Sequence, residues 1–140
     1  VCLHGFVSDS VLENALRQAD LVLNLRHPSM GEASGSQLRI WNAGAPAAVT
    51  RLGWYAEIPD SVAYFIDLEE EVEQLHALFS TLAADRRAGA DIGAAGRTYF
   101  EAHHDPDTYA EEIVKIARQS AEKDNQTLAR SLSAQYSLKR

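Results

Sequence analysis

One apolar segment constrains the fold of this chain more than any other feature: Leu21-Val22-Leu23-Asn24-Leu25. Its residues lack the alternation of apolar and polar side chains that marks a strand with one solvated face. Such a run is typical of a strand that is covered on both faces within a parallel sheet. Because parallel neighbours are joined by long crossover connections, usually helices, the segment favours an α/β architecture.

The first half of the chain alternates between strand-like and helix-like segments. The strand-like segments are residues 1–7, 21–25, 46–50 and 62–66. Ser10 and Glu13 have the spacing of a capping box and predict the start of a first helix. Ser34 or Ser36 can cap a second helix, which Gly44 ends. We therefore expect an α/β fold with a partial Rossmann-like parallel sheet of about four short strands, flanked by helices.

After residue 66 the pattern becomes helical. Apolar residues follow helical spacing at Leu68, Val72, Leu75, Leu78, Phe79 and Leu82. A further helix is predicted over residues 90–102. Another begins at Pro106, with Asp105 as its cap.

The end of the sequence differs in composition from the rest. Beyond residue 120 it is polar, which predicts a tail that is either frayed or docked on a partner. We assign residues 1–122 to one domain and residues 123–140 to a polar C-terminal tail or helix. The chain also begins at Val1 in the middle of a strand-like pattern, which suggests a fragment of a longer polypeptide.

Charge and cysteine content exclude several classes of protein. The formal net charge is −7 and the isoelectric point is about 5.1, which argues against a nucleic-acid-binding surface. The single cysteine, Cys2, excludes an internal disulfide and suggests a reducing compartment. No apolar run of the sequence approaches the ~18 residues that a membrane-spanning helix needs.

The turn over residues 26–37 is the strongest functional signal. It follows a strand, contains glycines, serines and the carboxylate of Glu32, and precedes a helix. Backbone N–H groups and the positive end of a helix dipole attract phosphate groups, and a carboxylate can bind sugar hydroxyls. This sequence is therefore typical of a site for a phosphorylated ligand, with an ordinary strand–helix connection as the alternative.

Other polar and aromatic residues have both a structural and a functional interpretation. Asn24 lies in an apolar strand and needs a hydrogen-bond partner if it is buried, so we expect it to order the following loop. Trp54 and Tyr55 either stack on a base, line an acceptor cleft or pack in the core. The segment His103-His104-Asp105 is interpreted as a surface loop, because adjacent histidines point in different directions and no second cluster of metal ligands accompanies them.

Four motifs occur in an order and spacing found in one enzyme family. They are Gly5-Phe6-Val7, Ala19-Asp20-Leu21-Val22-Leu23, Pro28-Ser29-Met30-Gly31-Glu32 and Ala43-Gly44-Ala45-Pro46. In these motifs the first 66 residues resemble the nucleotide-sugar-binding half of group 1 glycosyltransferases, which are retaining enzymes of the GT-B architecture. The resemblance implies transfer of a sugar from a nucleotide-diphosphate sugar to an acceptor hydroxyl, in polysaccharide or glycoconjugate synthesis.

The resemblance also implies roles for individual residues. Glu32 is the expected catalytic residue, because the family uses this glutamate to contact hydroxyls of the donor sugar. The expected substrate-binding residues are Gly5, Phe6, Val7, Arg26, Gly31, Ser34, Gly35 and Ser36. In the family, the residues at the start of the helix, here Ser34 to Ser36, offer N–H groups to the diphosphate. The glycine turn near the beginning of the chain, here Gly5 to Val7, lies beside the base. Arg26 either adds positive charge near the turn or forms a structural ion pair.

The chain departs from the family pattern at one position. A second glutamate, eight positions after the first, usually binds the ribose; Ile40 stands there, and Gly44 comes one residue early. The neighbouring Arg39 cannot accept a hydrogen bond from a hydroxyl. A nucleotide-sugar-binding or degenerate module without transferase activity is therefore the alternative function. A flavodoxin-like signalling domain is a weaker alternative, because no acidic cluster follows a first strand.

The resemblance implies substrates and partners as well. The substrates are a nucleotide sugar and a glycan or lipid-linked acceptor, and neither a cofactor nor a metal is expected. Activity should require an amino-terminal GT-B domain or another chain, because in the family the basic pair that neutralises the diphosphate precedes Val1. The expected location is the cytoplasm, either free or peripherally associated with the inner face of the membrane.

The family's sheet order has a consequence for residues 21–25. In the order 3-2-1-4-5-6, the first two strands lie between residues 1–7 and residues 21–25, and both would precede Val1. Residues 21–25 would then be an exposed edge, which invites pairing with another strand. We expect the chain either to belong to a larger protein, or to pair its strands anew or form an oligomer.

Overall fold

The computed structural model describes residues 1–137, with side chains described to residue 127. The elements in chain order are α1 (Asp9–Gln18), β1 (Val22–Asn24), α2 (Gly35–Ala43), β2 (Ala47–Thr50), β3 (Tyr64–Ile66), α3 (Glu71–Ala84), α4 (Ala90–His103) and α5 (Pro106–Ser137). Short 3-10 turns cover Gly53–Ala56, Asp60–Val62 and Leu68–Glu70. Residues Val1–His103 form one compact unit, and a second unit begins at His104.

The strands form one parallel sheet in the order β1-β2-β3. Leu23 pairs with Ala48, and Ala48 pairs in turn with Tyr64. Helices connect or flank the strands, so the predicted α/β class with a parallel sheet is confirmed. The predicted number of strands is wrong, because the described part of the chain forms three strands and not four.

The missing fourth strand is the segment over residues 1–7. Val1, Leu3 and Phe6 are fully exposed, and no strand is assigned there. A strand is held by hydrogen bonds to a neighbour, and within the described residues the pairing involves only β1, β2 and β3. An apolar pattern without such a neighbour therefore does not produce a strand.

The strand that is covered on both faces is β2 rather than β1. Val49 packs in a cluster with Trp41 of α2, whereas Ala48, which points to the opposite face, packs with Leu78 of α3. In the predicted doubly covered strand, Leu23 remains 49% exposed. The prediction for residues 21–25 is wrong in this respect because β1 lies at the edge of the sheet.

Two glycines of α4 allow it to pack directly on α2 and on the end of that helix. A Cβ atom on Gly96 would overlap the Trp41 ring, and one on Gly93 would overlap the Gly44 carbonyl. The Trp41 ring is fully buried, and its Nε1 donates a hydrogen bond to the Val62 carbonyl at 2.9 Å. This contact fixes α2 over the sheet, and with it the turn that precedes α2.

The helix boundaries test the predicted caps. Ser34 is the N-cap of α2, since its Oγ accepts a hydrogen bond from the Gln37 N–H at 3.2 Å, and Gly44 ends α2 at φ 71°. For α1 the predicted capping box is wrong. Ser8 is the N-cap there, and Ser10 lies inside the helix. The serine two positions earlier has the extended backbone that an N-cap needs.

The second unit consists mainly of α5. Asp105 caps this helix as predicted, because its Oδ2 accepts hydrogen bonds from the Thr108 N–H and hydroxyl, both at 2.8 Å. Of the predicted tail, residues 123–137 lie in α5, and residues 138–140 lie outside the described part. No helix within the described residues combines the length and the apolar composition that crossing a membrane requires.

The packing of α4 on α2 predicts the effect of adding one methyl group. Gly96→Ala should lower the free energy of unfolding by about 1–3 kcal/mol, because the buried Trp41 ring cannot move aside cheaply. Urea unfolding followed by circular dichroism measures this change. Gly35→Ala is the matched control, since no atom lies within 4 Å of the added Cβ. Equal stability of the two variants would show that α4 does not pack on Trp41.

Candidate functional site

Two loops meet at the carboxyl-terminal edge of the sheet. One is the Glu32 turn, which we define as residues 26–33, between β1 and α2; the other is the 3-10 turn Gly53–Ala56, after β2. A Cβ atom built on Gly53 would lie 2.8 Å from Ser29 Oγ and 3.2 Å from Gly31 Cα. Gly53 has φ +59°, a conformation that glycine adopts without strain. The loops are therefore in direct contact, at the edge where ligands of α/β folds bind.

The Glu32 carboxylate is held within its own turn. Its Oε2 accepts a hydrogen bond from the Met30 N–H at 3.0 Å, and its Oε1 accepts one from Arg26 Nη1 at 3.2 Å. Hydrogen bonds from its own N–H and from Met30, together with the Arg26 charge, lower the pKa of Glu32. The carboxylate is thus ionised at neutral pH. Its side chain remains 50% exposed, which leaves oxygen lone pairs open to a ligand.

Arg26 forms an ion pair with Glu32, which is one of the two roles that the sequence left open for this arginine. Besides contacting Glu32, its backbone N–H donates to Thr50 Oγ1 at 2.9 Å. Thr50 is buried at the end of β2. The beginning of the Glu32 turn is therefore anchored to the central strand of the sheet.

A polar cluster, buried apart from the half-buried Asn24, adjoins the turn. Asn24 Nδ2 lies 2.9 Å from the Tyr55 hydroxyl, 3.0 Å from Gln37 Oε1 and 3.5 Å from Ser34 Oγ. Ser34 and Gln37 are fully buried, and Tyr55 is 2% exposed. We call these four residues the Asn24 cluster. It joins the end of β1, the start of α2 and the 3-10 turn, as expected for an asparagine that orders its loop.

Two members of the Asn24 cluster were not expected from the sequence. Gln37 lies on the buried face of α2 together with Ile40 and Trp41. A polar residue within an apolar helical face was the sequence signal that could have predicted its burial. Tyr55 was left open between core packing and ligand stacking. Its burial supports core packing, and Trp54 likewise packs against Trp41, with ring centroids 5.8 Å apart.

The start of α2 is open to solvent above this cluster. Gly35 and Ser36 are exposed, and nothing lies within 4 Å of a Cβ built on Gly35. Their N–H groups lie in the first turn, before any helical carbonyl can accept from them. Ser34 uses its side chain for the N-cap and is itself buried. Of the three residues expected to offer N–H groups to a diphosphate, two are thus accessible.

A groove of about 590 Å³ begins at these N–H groups. It runs between α1, β1 and α2 and is lined by Leu12, Leu16, Val22, Leu23, Asn24, Gly35, Ser36, Arg39 and Ile40. Arg39 also forms an ion pair with Asp9 of α1. The groove is mainly apolar, with polar groups at its α2 end.

The remaining predicted residues lie in different places. Gly31, at φ +85°, forms part of the Glu32 turn. Phe6 is fully exposed, and no atom lies within 4 Å of a Cβ built on Gly5, so the structure brings neither residue to the turn. Val7 is half-buried in the same segment before α1. No group of three or more His, Cys, Asp or Glu that could hold a metal occurs among the described residues.

Comparisons with protein-family models, with curated proteins and with solved structures find no significant match for this chain.

The Asn24 cluster predicts a large effect of a small substitution. Asn24→Ala should lower the free energy of unfolding by about 1–3 kcal/mol, because buried polar atoms of Gln37 and Tyr55 lose their partner. Asn42→Ala, at an exposed position of α2, is the matched control and should change stability little. Thermal and urea unfolding measure both variants. If they were equally stable, the cluster would not hold these elements together.

Proposed function

We propose that this chain is the donor-binding part of a retaining glycosyltransferase of the GT-B type, which uses a nucleotide-diphosphate sugar. The observation that carries the proposal is the arrangement of Glu32 directly before the exposed start of α2. The ionised carboxylate comes three residues before the first of the exposed backbone donors, Gly35 and Ser36, in the connection between β1 and α2. These two groups suit the sugar and the diphosphate of one ligand.

The distance along the chain fits such a ligand. Glu32 and Gly35 are three residues apart, so their Cα atoms lie at most about 11 Å from each other. One ligand that carries both a sugar and a diphosphate can therefore reach both groups. The groove starts at Gly35 and Ser36, which leaves room for a nucleoside on the other side of the diphosphate.

The electrostatics support a role in departure of the nucleoside diphosphate. When the bond between the sugar and the phosphate breaks, negative charge grows on the phosphate oxygens. The N–H groups and the dipole at the start of α2 favour that charge, and they need no reorganisation during the reaction. Glu32, held by Met30 and Arg26, would meanwhile keep the sugar oriented for attack by the acceptor hydroxyl. The acceptor itself, a glycan or lipid-linked sugar, would be delivered by an amino-terminal domain or another chain.

A second function is favoured by one observation. Ile40, which stands where the family has its ribose-binding glutamate, is 3% exposed and belongs to the core. It offers no hydrogen bond to a ribose. A module that binds nucleotide sugars without transferring them is therefore the alternative. Calorimetry with several nucleotide sugars, combined with a transfer assay on the complete enzyme, separates the two: binding without transfer favours the module.

Location follows from the same proposal. The thiol of Cys2 is free and exposed, which suits a reducing compartment such as the cytoplasm. We place the reaction there, either free or at the inner face of the membrane.

The proposal predicts that Glu32 matters for transfer and little for stability. Glu32→Ala in the complete enzyme should lower kcat/KM by roughly 10- to 150-fold for each sugar hydrogen bond lost. The melting temperature should change little, because the ion pair between Glu32 and Arg26 is exposed to solvent and exposed ion pairs contribute little to stability. Glu57→Ala, an exposed glutamate near the 3-10 turn, is the matched control. Wild-type transfer by the Glu32 variant would contradict the assignment.

A further inference from the structure

Thr50 is the last residue of β2 and the only polar one in that strand. All four residues of β2 are buried, and Thr50 is 1% exposed. A buried hydroxyl is costly unless it is hydrogen-bonded, whereas a valine has nearly the same shape and no polar group. The role of Thr50 therefore depends on the groups that its oxygen atoms bind.

The Thr50 hydroxyl extends the hydrogen bonding between β1 and β2. Earlier in this pair of strands, the Val22 N–H donates to the Pro46 carbonyl at 2.9 Å. Because a parallel ladder repeats every two residues, the same pattern four residues later would pair the Arg26 N–H with the Thr50 carbonyl. The Arg26 N–H instead donates to Thr50 Oγ1 at 2.9 Å. The chain can thus leave the sheet after Asn24, where β1 ends, while the Arg26 N–H keeps an acceptor.

The Thr50 carbonyl binds the second loop of the site. It accepts a hydrogen bond from the Leu52 N–H at 2.8 Å, which bends the chain just before the 3-10 turn that follows β2. The two loops also meet further on, where a Cβ atom on Gly53 would lie 2.8 Å from Ser29 Oγ. One buried residue therefore holds the start of both loops, the Glu32 turn by its side chain and the 3-10 turn by its backbone.

Arg26 connects Thr50 to Glu32. Its backbone N–H is bound by Thr50 Oγ1, and its Nη1 donates to Glu32 Oε1 at 3.2 Å. An exposed ion pair is a weak restraint alone, because two long side chains must be held in one geometry. Attachment of the Arg26 backbone to the central strand removes part of that freedom. The Met30 N–H, 3.0 Å from Glu32 Oε2, holds the other carboxylate oxygen within the same turn.

We propose that Thr50 is a positioning residue for Glu32: its hydroxyl fixes Arg26 at the start of the turn, and Arg26 orients the carboxylate. Because Thr50 is buried, it acts on a sugar only through these two residues. The benefit to sugar binding rests on the function proposed above. The coupling of Thr50 to Glu32 does not, because it is a property of the chain without ligand.

Two substitutions at residue 50 test this coupling. Thr50→Val removes the acceptor and keeps the shape of the side chain, whereas Thr50→Ser keeps the hydroxyl. Amide hydrogen exchange of the 140-residue chain reports on the Arg26 N–H. Carboxyl ¹³C NMR reports on the titration of Glu32, and Glu32→Gln identifies its resonance.

Thr50→Val should change both measurements. We expect exchange of the Arg26 N–H to become roughly 2- to 12-fold faster, which is the factor that one net hydrogen bond contributes. The pKa of Glu32 should rise toward its ordinary value, because loosening of the turn weakens the Met30 and Arg26 contacts that lower it. Thr50→Ser should resemble the wild type in both measurements.

Thr98→Val is the matched control. It removes the same hydroxyl from α4, where the hydroxyl donates to the Ala94 carbonyl at 3.1 Å, and it should leave both measurements unchanged. A Thr50 hydroxyl that only stabilises the fold would shift the midpoint of urea unfolding without moving the Glu32 titration. That result, or an equal Glu32 shift in Thr50→Ser and Thr50→Val, would overturn the proposal.

A second variant applies if Thr50→Val does not fold. Thr50→Cys puts a weak acceptor in place of the hydroxyl, so it should shift both measurements in the same directions, and an unchanged Glu32 titration would overturn the proposal. Since no nucleotide is present, these outcomes are independent of whether the chain binds nucleotide sugars.

Discussion

The hydrogen bonds of the Asn24 side chain are the interaction on which the site depends. Asn24 ends the edge strand, and its amide reaches the N-cap of α2 and the 3-10 turn after β2 in one buried cluster. Buried polar groups are costly unless they are paired, so the arrangement in which Asn24 Nδ2 pairs with Gln37 Oε1 and with the Tyr55 hydroxyl is preferred over alternatives that leave these oxygens unpaired. These hydrogen bonds therefore hold the two loops at the sheet edge in one arrangement.

The residues next to the Asn24 cluster are exposed, in contrast to most of the cluster itself. Glu32, Gly35 and Ser36 face solvent, yet each is one or two residues from Ser34, a fully buried member of the cluster. A site of this kind is preorganised, because its donors and its carboxylate are oriented before a ligand arrives. Trp41 adds a second restraint by packing α2 against α4, which keeps the open end of α2 at the carboxyl edge of the sheet.

The sequence predicts those features that depend on local chemistry, and fails for those that depend on neighbours. The sequence offered Ser34 or Ser36 as the N-cap of α2, because both have a side-chain oxygen, and Ser34 is the residue that caps it. Gly44 was predicted to end α2, and this is confirmed by its positive φ. Two predictions are wrong: a strand over residues 1–7, and burial of both faces of residues 21–25. Pairing and burial of a strand depend on the elements that lie beside it, which the local sequence does not specify. The sequence did not predict that Tyr55 and Gln37 contact Asn24, because contacts between segments that are distant in sequence leave little trace in the local residue pattern. The ligand and the role of Glu32 stay proposals that rest on the family resemblance and on this geometry.

The central claim is that the Glu32 turn and the start of α2 bind one nucleotide-sugar molecule together. Backbone amide NMR of the chain, titrated with UDP-glucose and then with nucleotide sugars of the other bases, tests it most directly. We predict that at least one of them shifts the Glu32, Gly35 and Ser36 amides along a single saturable curve. The matching nucleoside diphosphate should shift Gly35 and Ser36 while affecting Glu32 much less. Amides of the turn that do not respond to any nucleotide sugar, or a saturable response confined to another surface, would contradict the account.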